Sequence, residues 1–309
     1  MSKSLVLVFH KEENGHLFEK IIIALKARYS LLSAAALEEL LVQKKVLKNI
    51  CHISFDDGEK SFYNIIFPLL KKHQVPVSLF VSPDKISRGS NYWFQQMEGF
   101  DEQVLKNIIA QQLNISVDSV INFSAMSIFN CLPVKQIENI IEQYRQQTKC
   151  TIKSPQNINT DQLRELDASG LVTIGAHTIN HPVLKNEDDE SCHFEITESI
   201  KRLETLLGHP VKYFAYPNGR PGIDFSEREM KCLAAHKMAM AFSTELDHLH
   251  AATDPLSIPR MGFARMGLSP SNWLVGFRLN AGKKWINLKS IGSASEETER
   301  KSIKLILGT

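Results

Sequence analysis

Short apolar runs rich in β-branched residues recur along this chain, and amphipathic stretches fill most of the gaps between them. The runs are LVLVF (5–9), HISF (52–55), VPVSLFV (75–81), LVTIGA (171–176), VKYFAY (211–216), MAMAFST (238–244) and LSIPR (256–260). Each is short for a helix and apolar enough for a buried strand. Residues 16–46 carry a helical pattern, with Phe18, Ile21, Ile22 and Leu25 on one face and a break at Tyr29 and Ser30. Residues 60–73 repeat it through Phe62, Ile65, Ile66, Leu69 and Leu70. Thr160 is placed to cap a helix that ends near Gly170, and residues 195–208 form another, stopped by Gly208. Ser226 with Glu229 makes a capping box for a helix through about His236. Strands alternating with helices predict a parallel sheet or barrel, whose functional groups gather at the C-terminal ends of the strands.

Residues 84–155 break the rhythm. They are polar, rich in Gln and Asn and mostly helical in pattern, as expected of an insertion or cap. The expected organisation is one catalytic domain over 1–270 with this helical insertion, and a peripheral tail over 271–309. A net charge of +2, from 36 Lys and Arg against 34 Asp and Glu, supplies no basic stripe and argues against nucleic acid as a partner. Five cysteines, odd in number and without a CxxC pair, argue against a disulfide framework and for a reducing compartment. No stretch approaches the ~18 apolar residues of a membrane span, and Leu5–Phe9 is too short for a signal-peptide core. The expected location is cytoplasmic.

The residues that carry chemistry follow the expected strands. Asp56 and Asp57 end HISF, and Gly58 lets the chain turn. Adjacent carboxylates point in different directions, so one can bind a metal while the other accepts a proton; a DDG run is equally the composition of a surface turn. His177 and His181 lie in HTINHP, the loop that follows LVTIGA. An i, i+4 spacing on a helical turn would bring both imidazoles to one side, although two unrelated histidines would read the same way. One carboxylate and two imidazoles make a three-ligand set that leaves positions open for water and substrate.

Three segments together resemble the polysaccharide deacetylases, the fourth carbohydrate-esterase family: SFDDG (54–58), HTINH (177–181) and YPNG (216–219). Their order and spacing agree with the family's signatures over roughly 5–83 and 156–265. The resemblance implies a distorted, incomplete (β/α) barrel of parallel strands with a helical insertion. It implies a divalent metal, usually zinc, on Asp57, His177 and His181, and Asp56 as general base. Thr178 would support the histidine loop, Tyr216 and Pro217 would contact substrate, and a backbone N–H near Asn218 would help bind the oxyanion.

Two departures stand out. The arginine that usually orients the catalytic aspartate has Ala215 in its place, and Arg260 is either its replacement or a surface arginine. The family's last signature, which supplies an acid histidine, is not intact near the C-terminus. LVFH (7–10) matches its form at the N-terminus, resembling the circularly permuted branch that deacetylates exopolysaccharide glucosamine. His10 is therefore the expected general acid, with His248 and His250 as rivals. His16, His52, His73, His193, His209 and His236 lack partners at ligand spacing and are expected to be surface or packing residues. Tyr92, Trp93 and Phe94 either stack on a sugar ring or anchor the cap to its core.

The expected activity is metal-dependent hydrolysis of acetyl groups from an N- or O-acetylated sugar or polysaccharide precursor. The rivals are an amidohydrolase for a non-sugar C–N bond and a catalytically inactive sugar-binding module.

Overall fold

The structure is a computed structural model, which describes residues 4–45, 48–262 and 296–308. Among the described residues eight strands form one sheet: β1 (Leu5–Phe9), β2 (Ser30–Leu31), β3 (Ile50–Asp56), β4 (Val77–Val81), β5 (Val172–Ala176), β6 (Tyr213–Ala215), β7 (Met240–Phe242) and β8 (Met261–Gly262). Their order is β7-β6-β5-β4-β3-β1-β8, with β2 also paired to β3, and every pair is parallel. The sheet curls until its ends approach. Phe242 bridges Ile258, and three residues later Met261 pairs with Leu7 of β1. The architecture is the distorted (β/α) barrel that the resemblance implies.

The strands read as near-continuous apolar runs because both faces are buried. Leu5, Leu7 and Phe9 of β1, with Val77, Leu79 and Val81 of β4, pack into the large core shared with the helices. Val6 and Phe80 point the other way, with Met240, Phe242 and Ile258. On β3 the alternation is chemical: Cys51, Ile53 and Phe55 join the helix-side core, whereas His52, Ser54 and Asp56 are buried polar residues of the opposite face. A fully buried His52 is accommodated by two hydrogen bonds, Nδ1 to the carbonyl of Leu32 at 2.8 Å and Nε2 to the hydroxyl of Ser78 at 3.0 Å.

Several elements differ from their sequence-based expectations. The break at Tyr29 and Ser30 holds β2, two residues long and too short for any periodicity. The helix expected over 60–73 begins as a π-helical turn, Phe62–Ile66, before Phe67–His73. Asn159, not Thr160, caps helix Thr160–Ala168, accepting from the N–H of Gln162 at 2.9 Å. The helix expected from 195 starts earlier, running Asp189–Leu207 behind an Asp188 cap. LSIPR is not itself a strand: only Ile258 bridges, and the paired residues are Met261 and Gly262.

Residues 84–155 are helical and build their own apolar cluster from Trp93, Leu105, Ile109, Phe129, Ile137 and Tyr144, among others. Of the tail, residues 296–307 are helical. Ile303 is fully buried, and Arg300 pairs with buried Asp224. Ile306 and Leu307 pack against the insertion's cluster.

Candidate active site

Asp56 is the last residue of β3, and Asp57 begins the turn that follows, with φ of 72°. Gly58 takes φ of 73°, and a Cβ there would stand 2.8 Å from a Val81 methyl, so the turn requires glycine. The change of backbone direction separates the two carboxylates, and their environments differ accordingly. Asp56 is gripped by Arg260, Nη1 to Oδ1 at 2.7 Å and Nη2 to Oδ2 at 2.9 Å. Burial alone would raise the pKa of Asp56, but the charge of Arg260, helped by His177 and His10, outweighs it and holds the carboxyl at about 2. Asp57 has no such partner. Its buried Oδ1 accepts no hydrogen bond, and burial followed by repulsion from Asp56 pushes its pKa well above the carboxylate range.

Two imidazoles face that orphaned oxygen. His177 Nε2 lies 3.9 Å and His181 Nε2 3.7 Å from Asp57 Oδ1. His177 Nδ1 donates to the carbonyl of Ala215 at 2.7 Å, which leaves Nε2 with its lone pair toward the site. Burial keeps both rings neutral: it lowers His177 to about 4 and, with the neighbouring His177, lowers His181 further below its ordinary value. Neutral nitrogens around an unpaired buried carboxylate are the donor set of a divalent metal, and these residues fit one.

The histidine segment is the loop expected after LVTIGA, but its backbone is not the helical turn that the i, i+4 spacing suggests. Thr178 and His181 both take positive φ, 61° and 60°. The hydroxyl of Thr178 accepts the N–H of His181 at 3.0 Å, the supporting role expected of it. Glu195, 2% exposed on helix Asp189–Leu207, accepts from the backbone N–H groups of Ile179 and Asn180 and from the Asn180 amide, each at 2.9 Å. Nothing in the sequence singled out this anchor, because one glutamate on an amphipathic helix carries no signature.

Arg260 is fully buried, not a surface residue. Besides Asp56 it reaches the carbonyl of Ser243 at 3.0 Å and the hydroxyl of Ser54 at 3.2 Å, between the rings of Phe80 and Phe242. His10 lies at the pocket mouth, its side chain 57% exposed, with Nε2 3.9 Å from Asp56 Oδ2. The pocket is lined by His10, Asp56, Asp57, His177, His181 and Asn218, among others, whereas His248 and His250 do not line it. Asn218 adopts φ of 56°, and its side-chain amide faces Asn130 of the insertion at 3.4 Å.

Trp93 and Phe94 also line the pocket, but Trp93 is 4% exposed and its indole N–H donates to the carbonyl of His181 at 3.0 Å. It therefore fixes the loop that carries both histidines. Tyr92 donates to the carbonyl of Asp57 at 3.0 Å, so the cluster anchors the insertion to both the Asp56–Asp57 turn and the histidine loop. The structure does not bring Tyr216 and Pro217 to the pocket. Tyr216 is turned into the core, its ring stacked on Phe225 at 3.7 Å and its hydroxyl bonded to the carbonyl of Leu256. At this turn the pocket side belongs to Asn218.

The sequence profile of the polysaccharide deacetylases matches residues 43–240. The chain belongs to that family. It is thus a hydrolase of the deacetylase class, with a candidate metal site at the strand ends of its barrel. His10 and Arg260 fall outside the matched span. No curated protein matches the sequence. Among solved structures, the chain resembles IcaB from Ammonifex degensii at 18% identity and a TM-score of 0.59, covering 90% of this chain and 98% of that one. It resembles the Streptococcus pyogenes deacetylase PplD at 18% identity and 0.57, covering 88% and 96%. A de-N-acetylase from Aggregatibacter actinomycetemcomitans matches at 18% and 0.53, covering 84% and 94%. At this identity the three likenesses concern the fold.

Proposed function

We propose that the chain removes the acetyl group from an N-acetylated sugar unit of a polysaccharide or its precursor, using zinc held by Asp57, His177 and His181. When bound, such an ion acidifies a water and polarises the acetyl carbonyl. The chain's own residues do the rest. Asp56 accepts the proton of the attacking water, and Arg260 keeps it ionised and aimed. A backbone N–H at Asn218 donates to the oxyanion as the water oxygen adds to the acetyl carbon. His10 gives a proton to the sugar nitrogen as the C–N bond breaks, leaving acetate and a free amine.

The observation that carries this reading is the division of labour between adjacent aspartates. One is paired and ionised; the other is buried, unpaired and faced by two neutral imidazoles. The choice of an N-acetyl substrate draws support from the Aggregatibacter relative, described as a de-N-acetylase. Five unpaired cysteines support a reducing, cytoplasmic setting, and with it a polysaccharide precursor as substrate. The test is acetate release from N-acetylglucosamine oligomers by the zinc-loaded chain. Asp56→Asn should lose roughly a hundredfold or more in turnover while still binding zinc. Near-normal turnover in that variant would refute the assignment of the base.

A further inference from the structure

Helices Asp189–Leu207 and Glu227–Ala235 pack side by side and contribute nothing to the lining of the active-site pocket. His193 and Thr197 stand four residues apart on the first. Cys232 and His236 stand four apart on the second and its C-cap. Both pairs therefore project from one helical face. His193 and His236 have no histidine partner at ligand spacing in the sequence, but Cys232-x3-His236 is itself a ligand spacing. In the fold the two imidazoles and the thiol converge, with one ligand atom from each lying within 4.8 Å of the others. His236 Nε2 is 2.8 Å and His193 Nε2 3.5 Å from the hydroxyl of Thr197, which sits between the rings.

We propose that His193, Cys232 and His236 form a second metal site, for a thiophilic divalent cation such as zinc, that clips these two helices together. Two imidazoles and a thiol suit zinc or cobalt far better than magnesium or calcium, which select oxygen. Tetrahedral zinc, with bonds of about 2.0–2.3 Å, holds its donors roughly 3.3–3.8 Å apart, so on binding the three groups close by about an ångström and the Thr197 hydroxyl between them turns away. His193 is exposed and free to make that adjustment, while His236 and Cys232 are half-buried. On binding, the thiol gives its proton to solvent and the thiolate becomes the ligand. Helix Asp189–Leu207 also carries Glu195, the anchor of the active-site histidine loop, two residues from both His193 and Thr197. The clip therefore steadies the helix on which the catalytic ligands depend.

The test uses the full chain with His177→Ala and His181→Ala, which removes the active-site ligands and leaves the second cluster intact. Titration with Co2+ should give one equivalent of binding and a near-ultraviolet thiolate-to-cobalt charge-transfer band, and Zn2+ should raise the melting temperature. Adding Cys232→Ser should abolish the band. His193→Gln, at an exposed position that does not threaten folding, should weaken Co2+ binding at least tenfold. Saturating Co2+ without a charge-transfer band overturns the proposal, as does a band that survives Cys232→Ser or an affinity unmoved by His193→Gln.

Discussion

Replacing Arg260 by methionine keeps most of the side-chain volume and removes the fork that holds Asp56. Arg260 is fully buried and makes two charge-assisted bonds to Asp56, at 2.7 and 2.9 Å, and one to the carbonyl of Ser243 at 3.0 Å. Stranding one member of a buried ion pair costs about 3–5 kcal/mol, a large share of the stability of an ordinary domain. The chemical consequence follows from the balance at Asp56. Burial favours its neutral form, and the guanidinium is the main counterweight. Without it, burial dominates and the carboxyl pKa rises from about 2 toward neutrality. A base must be ionised to accept a proton, so the acidic limb of kcat/KM should move to higher pH in Arg260→Met, and activity at pH 7 should drop. Arg260→Lys restores charge without the bidentate fork and should fall between the two. Urea unfolding and a pH–rate profile for acetate release measure both effects. Combining Asp56→Asn with Arg260→Met should recover part of the lost stability, since no charge is left unpaired. A loss under about 1 kcal/mol, together with an unmoved acidic limb, would refute the coupling.

Two further outcomes follow from the buried polar groups. Glu195→Ala strands the N–H groups of Ile179 and Asn180, at about 1–3 kcal/mol for each unsatisfied group, and should weaken zinc binding roughly tenfold to a hundredfold by loosening the histidine loop; unchanged affinity in a zinc titration would show that the loop is held by other contacts. His52 is fully buried and neutral, its pKa lowered to about 4 by burial. The unfolded chain takes up this proton near pH 6.5 and the folded chain only near 4, so stability is complete above about 6.5 and falls as pH drops through that window, by up to about 3 kcal/mol; urea midpoints at pH 7.5 and 5 should show the loss, and His52→Gln should shrink it.

What was legible in the sequence is what period and composition encode. Six of the seven apolar runs hold strands, because strands buried on both faces leave a dense signal, and SFDDG and HTINH fell at the ends of β3 and β5. Reading Arg260 as the partner of Asp56 required only that an arginine follow a late strand; its complete burial was not readable, since a charged side chain goes inside only when tertiary partners accept it. Three features depend on backbone conformation or tertiary contacts that residue spacing does not carry. The HxxxH spacing suggested a helical turn, but Thr178 and His181 adopt left-handed backbone that spacing does not reveal. Tyr216 sits in a signature that faces the pocket, yet its ring turns inward onto Phe225. His193 and Cys232 lie 39 positions apart and meet only because their helices pack side by side.

The most direct measurement is a crystal structure of the zinc-loaded chain with anomalous scattering collected at the zinc edge. Asp57 Oδ1, His177 Nε2 and His181 Nε2 should surround one peak at about 2.0–2.2 Å, with the carboxylate of Asp56 beside it and still held by Arg260. An empty map between these three side chains at saturating zinc, or a metal coordinated by Asp56 in place of Asp57, would contradict the account.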